Sequence, residues 1–189
     1  MDHLQTKLAE VGTHVPLATR AHDELALDSP LMKVPVLVTE DGKALYDSRV
    51  ICEYLDQLSS KTTLFPPNGQ DRWRALKLQS LADGMMDAAI LCRFEAARDP
   101  SCRSNDWTKA QTRRIVQGLD VLNKEMASLK VGLTIGIISV ACALSYLDFR
   151  FAHLCWRQGH EMLAAWLDEF SDRPSMRLTR PSRFLGSDH

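Results

Sequence analysis

Two short runs hold the residue types best suited to recognise a ligand. The first is Lys33-Val34-Pro35, at the mouth of the apolar run Val36-Leu37-Val38. The second is Asp47-Ser48, just before an amphipathic stretch that reaches Leu58. Proline has no N–H and suits the start of a strand. A Val-Pro bond adopts the cis form at a cost of only about 0.5–1 kcal/mol. A cis bond here is expected to turn the Val34 backbone N–H and C=O outward, free to pair with an extended peptide. Asp47 offers a carboxylate. Ser48 offers a hydroxyl and an N–H at a helix N-terminus, where anions are favoured. Together these groups describe a receptor for a small peptide with a free α-amino-acid end.

Other reactive side chains read as structural. The five cysteines are odd in number and scattered, and no CxxC pair occurs. Neither a zinc site nor a disulfide framework is expected, and a reducing cytosol fits. His160 is read as a helix start and not a ligand. Asp83 lies mid-helix beside Gly84, as suited to a solvated or structural role as to a cleft. Met85 and Met86 suit core packing or an adaptable apolar pocket. Asp148-Phe149-Arg150 is read as an ion pair bracing the end of a buried helix.

These residues need elements to position them. Val34–Thr39 and Lys43–Tyr46 are predicted to form a hairpin around Glu40-Asp41-Gly42. A helix follows over Ser48–Leu58, with Ser48 as N-cap and Val50, Ile51, Tyr54, Leu55 and Leu58 as its apolar face. Upstream, 2–11 reads as a helix capped by Gly12, His14–Thr19 as a strand, and Ala21–Leu31 as irregular or weakly helical. Ser59–Asp71 is a linker around Pro66-Pro67-Asn68-Gly69. Beyond it the pattern is helical. Leu78, Leu81, Met85, Ala88 and Cys92 share one face, and Asp99-Pro100 ends that helix. Ile115, Leu119, Leu122, Met126 and Leu129 share another. A buried helix is predicted over Thr134–Leu147 and a last one over His160–Ser171, ended by Arg173-Pro174.

Composition sets the limits. The chain has 189 residues, 45% hydrophobic and 25% charged, enough for a proper core. A net charge of −1 gives no support to a nucleic-acid or anionic-membrane partner. The N-terminus has no apolar signal core. The uncharged run 131–147 falls short of the roughly 20 residues that span a bilayer, so a buried core helix is the reading.

In this order the motifs resemble those of a cytosolic glutathione transferase of bacterial type. The matching residues are Lys33-Val34-Pro35-Val36-Leu37 and Leu45-Tyr46-Asp47-Ser48-Arg49-Val50-Ile51-Cys52-Glu53-Tyr54-Leu55-Asp56. Downstream they are Leu81-Ala82-Asp83-Gly84-Met85-Met86-Asp87-Ala88, Leu133-Thr134-Ile135-Gly136, Ala143 to Arg150, and Arg173-Pro174-Ser175. The resemblance implies an α/β thioredoxin-like N-terminal domain over 1–62 and an all-α C-terminal domain over 70–180. It implies glutathione as substrate, no metal, a small hydrophobic electrophile as second substrate, a cytoplasmic homodimer, and detoxification. Val34 would pair with the cysteinyl part of glutathione, and Pro35 would be the cis proline. Asp47 and Ser48 would hold the γ-glutamyl end, and Lys33 the glycine carboxylate. The second substrate would sit between the domains, against the helix of Met85 and Met86.

Three departures from the family pattern stand out. Family members open with a strand and a loop carrying Ser, Tyr or Cys, which lowers the pKa of the glutathione thiol. Here Leu8-Ala9-Glu10-Val11-Gly12 matches the end of the helix after that loop, and no residue matches the loop itself. Activity is therefore expected to be impaired, and no catalytic residue is assigned. The alternative expectation is a non-catalytic binding or scaffold protein. Met32 stands where Gly is usual before Lys-Val-Pro. Ile137 stands where an acid would complete the Thr134 capping box.

Overall fold

A computed structural model describes residues 23–59, 63–130 and 132–180. The predicted helix over 2–11 and strand over 14–19 lie outside the described residues. The chain divides into two compact units, Met1–Thr62 and Thr63–His189.

In the first unit a short helix, α1 (Asp23–Asp28), precedes strands β1 (Val36–Val38) and β2 (Ala44–Tyr46), then helix α2 (Ser48–Gln57). The strands pair antiparallel with Val36 opposite Tyr46, Leu37 opposite Leu45 and Val38 opposite Ala44. They are shorter than predicted because the turn consumes their ends. Thr39 N–H donates to the Lys43 carbonyl, Gly42 N–H donates to the Thr39 carbonyl, and the Thr39 hydroxyl donates to Lys43 O. Gly42 takes φ +78°, a conformation open to glycine. Ile51, a predicted apolar-face residue of α2, is buried.

The second unit is helical: α3 (Gly69–Ala96), α4 (Asn105–Lys124), α5 (Ile135–Arg150), α6 (Glu161–Ser171) and α7 (Pro174–Leu178). Three short 3₁₀ turns, Pro100–Cys102, Met126–Leu129 and Ala152–Leu154, join them. Beyond α5, which runs to Arg150 and not only to the predicted Leu147, three boundaries differ from expectation. Gly69–Asp71, read as linker, already belong to α3. Met126 and Leu129, read as continuing one helix, lie in a separate 3₁₀ turn after α4 ends at Lys124. Arg173-Pro174 does not merely end α6. Proline at a first helical position costs no hydrogen bond, so Pro174 opens α7.

α3 packs most extensively on α5 and next on α4. The core holds Leu78, Ala82 and Met85 of α3, Ile115, Leu119 and Leu122 of α4, Val140, Leu144 and Leu147 of α5, and Leu163 and Leu167 of α6. Each fully buried aliphatic side chain of this kind stabilises the unit by about 1.5–3 kcal/mol. α5 carries eight buried residues, all within the uncharged run 131–147. No described helix is long and apolar enough to cross a membrane. Thr134 caps α5 by accepting from Ile137 N–H at 3.5 Å.

Glycine sets the closest helix approach. A Cβ at Gly136 would lie 2.4 Å from the Ala75 carbonyl oxygen and 2.8 Å from Leu78 Cβ. α3 and α5 therefore touch backbone to backbone there.

Candidate functional site

The hairpin register brings the two sequence motifs together. Val36 and Tyr46 form the end pair of the ladder. Lys33-Val34-Pro35 enters the ladder at that end, and Asp47-Ser48 leaves it there. All five expected site residues are exposed, Val34 by 54%. The Val34–Pro35 bond is cis. The Val34 backbone finds no hydrogen-bond partner among the described residues.

Asp47 adopts φ +70°, a region that residues with a Cβ rarely enter. It, and not Ser48, is the N-cap of α2: its carboxylate accepts the Arg49 N–H at 3.0 Å. Asp ranks with Ser among the best caps, and the positive φ aims its side chain back at the first turn. Ser48 becomes the first helical residue. Its hydroxyl and N–H are then left at the positive end of the helix dipole, facing solvent.

Charge around Asp47 favours its ionised form. The Arg49 N–H foremost holds its carboxyl below the usual carboxylate range, against a small opposing effect of burial. The Arg49 side chain, through Nε at 3.3 Å, and the charge of Lys33 act in the same direction. Arg49 was not among the residues singled out from sequence. The available signal was a cation two positions after a capping acid at a helix start.

Met32 takes φ +49°, so this chain keeps a glycine-like backbone at a position where Gly is usual, with a side chain present. Such a conformation costs an L-residue about 1–2 kcal/mol. A turn hydrogen bond from Met32 N–H to the Ser29 carbonyl at 2.9 Å helps to hold it.

In the second unit, Met85 and Met86 part company. Met85 is buried, and its Sδ would stand 2.5 Å from a Cβ at Gly118. Only Met86 reaches a cavity, of about 840 Å³, that also meets Cys142, Tyr146, Phe149 and Met176. A second hollow of about 690 Å³, beside Trp166 and Phe170, contains none of the candidate residues.

Asp148 and His160 make their contacts within the second unit. Asp148, Phe149 and Arg150 form the last turn of α5 and do not follow it. Asp148 Oδ2 accepts from Arg157 Nη2 at 2.7 Å, and its Oδ1 accepts from Trp156 Nε1 at 2.8 Å. Arg157 also donates to Asp168 of α6 at 3.0 Å. The Asp148 bond foremost raises the Arg157 pKa. His160 flanks α6, with Nδ1 2.7 Å from the Trp156 carbonyl and Nε2 3.1 Å from Asp120 Oδ1. None of the five cysteines takes part in a disulfide. Among the described residues no cluster of His, Cys, Asp or Glu could hold a metal ion. The expected first strand and activating loop concern the chain before α1, outside the described residues.

The profile for the glutathione S-transferase N-terminal domain matches residues 4–58. The uncharacterized GST-like protein YibF of Escherichia coli (strain K12) is 33% identical over 170 residues, covering 88% of this chain and 84% of that protein. The chain belongs to the glutathione S-transferase family. A glutathione transferase family member from Pseudomonas fluorescens Pf-5, solved with bound glutathione, is 46% identical. That match covers 95% of this chain and 90% of that one, with a TM-score of 0.89. A glutathione S-transferase from Methylobacterium radiotolerans JCM 2831, in complex with glutathione sulfonate, is 31% identical. It covers 98% and 92% of the two chains, with a TM-score of 0.83. The glutathione S-transferase fold accounts for both units: a thioredoxin-like first unit that contributes the hairpin and α2, and an all-α second unit.

Proposed function

We propose that this chain binds glutathione along the open end of its hairpin and presents the thiol to a small hydrophobic electrophile. The observation that carries this reading is the Val36–Tyr46 register, which sets Lys33-Val34-Pro35 beside Asp47-Ser48. The bound glutathione of the Pseudomonas fluorescens relative supports it.

Each residue then has a chemical role. The Val34 N–H and C=O pair with the backbone of the cysteinyl residue, along an edge shaped by Pro35. The Asp47 carboxylate accepts from the α-ammonium of the γ-glutamyl end. Ser48 donates its hydroxyl and N–H to the neighbouring α-carboxylate at the start of α2. Lys33 attracts the glycine carboxylate. In the reaction, the glutathione thiolate attacks an electrophilic carbon, a C–S bond forms, and the leaving group departs with its electron pair. The protein contributes binding and orientation. The proposal extends to a cytoplasmic homodimer acting in detoxification.

The second reading is a glutathione-binding protein without turnover. It keeps Val34, Pro35, Asp47 and Ser48 as the binding residues and assigns the chain no catalytic residue. Calorimetric titration with glutathione and a conjugation assay with an aromatic chloride separate the two. Binding with turnover supports the transferase. Binding without turnover supports the second reading. An absence of binding overturns both.

A further inference from the structure

The hollow beside Trp166 and Phe170 takes no part in the glutathione reading. It measures about 690 Å³, within the roughly 300–1,000 Å³ typical of small-molecule sites. Its floor is apolar, since Leu129 and Ile137 line it and are buried. One wall is aromatic. Trp166 and Phe170 lie one turn apart on α6 and stack, with ring centroids 5.2 Å apart and planes at 28°.

Two cations line the same hollow. The Arg173 guanidinium lies over the Phe170 ring, 5.2 Å from its centroid, and Lys130 completes the pair. Among the described residues neither side chain has a hydrogen bond or an ion pair. Glu169 is the one carboxylate among the described lining residues, so two cations stand against one anion. The aromatic face holds the guanidinium through its charge and leaves its N–H donors for an incoming acceptor.

We propose that this hollow binds a small aromatic anion, a carboxylate or sulfonate, with its ring against Trp166 and Phe170 and its charge on Arg173 and Lys130. Burial of the ring against the apolar floor drives entry, and stacking orients it. The planar fork of Arg173 then meets two oxygens of the anion at once. A neutral aromatic lacks that anchor. All the described lining residues belong to the second unit, and the inference does not depend on glutathione binding.

Two dyes separate the charge from the ring. 8-Anilinonaphthalene-1-sulfonate carries both, and N-phenyl-1-naphthylamine is the same molecule without the sulfonate. Fluorescence titration of the full chain with each dye is made for the native protein, for Lys130→Met combined with Arg173→Met, and for Met162→Glu. Met162 lines the hollow and is 63% exposed, so the glutamate adds a repelling charge without disturbing the core. Both variants are expected to bind the sulfonate about tenfold more weakly and the neutral dye within about threefold of native. Their melting temperatures are expected within about 2 °C of native, because the replaced side chains are exposed. Equal loss for the two dyes leaves the cations without a role and overturns the proposal. Unchanged sulfonate affinity in both variants places the dye elsewhere and also overturns it. So does a native protein that shows no saturable binding of the sulfonate, whatever its affinity for glutathione.

Discussion

Replacing Gly136 by alanine tests what sets the spacing of the second unit. The added Cβ would lie 2.4 Å from the Ala75 carbonyl oxygen and 2.8 Å from Leu78 Cβ. Ordinary van der Waals contact begins near 3.4 Å, so α3 and α5 must separate by roughly 0.6–1.0 Å. A backbone carbonyl cannot swing aside as a flexible side chain can. A gap of that size forfeits about a quarter to a half of the dispersion energy of each contact it opens. The α3–α5 contact is the largest among the described elements, so the loss spreads along both helices. Overpacking of this kind costs about 1–3 kcal/mol, and after the gain of alanine over glycine in helix propensity a net loss of about 1–2 kcal/mol is expected. The melting temperature is then expected to fall by about 2–8 °C. Gly84→Ala is the control. Among the described residues nothing lies within 4 Å of a Cβ there, mid-helix in α3. It is expected to stabilise by about 0.5–1 kcal/mol. Urea unfolding followed by far-UV ellipticity reads both variants, since most of the helix lies in this unit. A Gly136→Ala loss under about 0.5 kcal/mol with an unchanged urea slope would refute the argument from close approach.

Ser48→Ala is expected to weaken glutathione binding about tenfold by removing a donor to a charged carboxylate; calorimetry checks it, and unchanged affinity would remove Ser48 from the site. Met32→Gly relieves a positive φ of +49°. The gain of about 1–2 kcal/mol is partly offset by the greater freedom of glycine in the unfolded chain. A net stabilisation of about 0.5–1 kcal/mol is expected in urea unfolding. Asp148→Asn weakens the bonds from Arg157 and Trp156. Because both ionic side chains are about a third exposed, a loss of only about 1–2 kcal/mol is expected from thermal melts. The Glu95 carboxylate accepts the Ser104 N–H at 2.6 Å, which foremost lowers its pKa below the usual 4.5. Its stabilising effect is complete above that unfolded value and is lost as pH falls through the lower folded one. Melting curves of Glu95→Gln should therefore fall less steeply than native below about pH 4.5; parallel curves would argue against the effect.

Much of the candidate site was legible because its parts are local. Gly42 in an acidic turn specifies the hairpin, and a hairpin fixes which flanking residues meet. Lys33-Val34-Pro35 and Asp47-Ser48 were therefore readable as one site before any coordinates. The cap was misread by one residue. Asp and Ser cap almost equally well, and the choice of Asp47 depends on a backbone φ that no composition rule reports. Arg49 escaped notice because a cation at a helix start reads as solvated surface until its Nε is seen on Asp47.

By itself, the sequence determined what nearest neighbours and periodicity control: the hairpin, most of the apolar faces of the helices, though Val50, Leu58 and Met162 are exposed, the buried character of α5, and the family. Tertiary structure decided what depends on partners distant in the chain. Met85 and Met86 are adjacent and chemically identical, yet one fills the space left by Gly118 and the other reaches a cavity. Asp148 found its cation at Arg157, beyond a 3₁₀ turn, instead of at the neighbouring Arg150. Gly136 reads as an ordinary helical glycine until Ala75 is brought against it. In each case the residue type was compatible with several roles, and close packing against a distant element selected one.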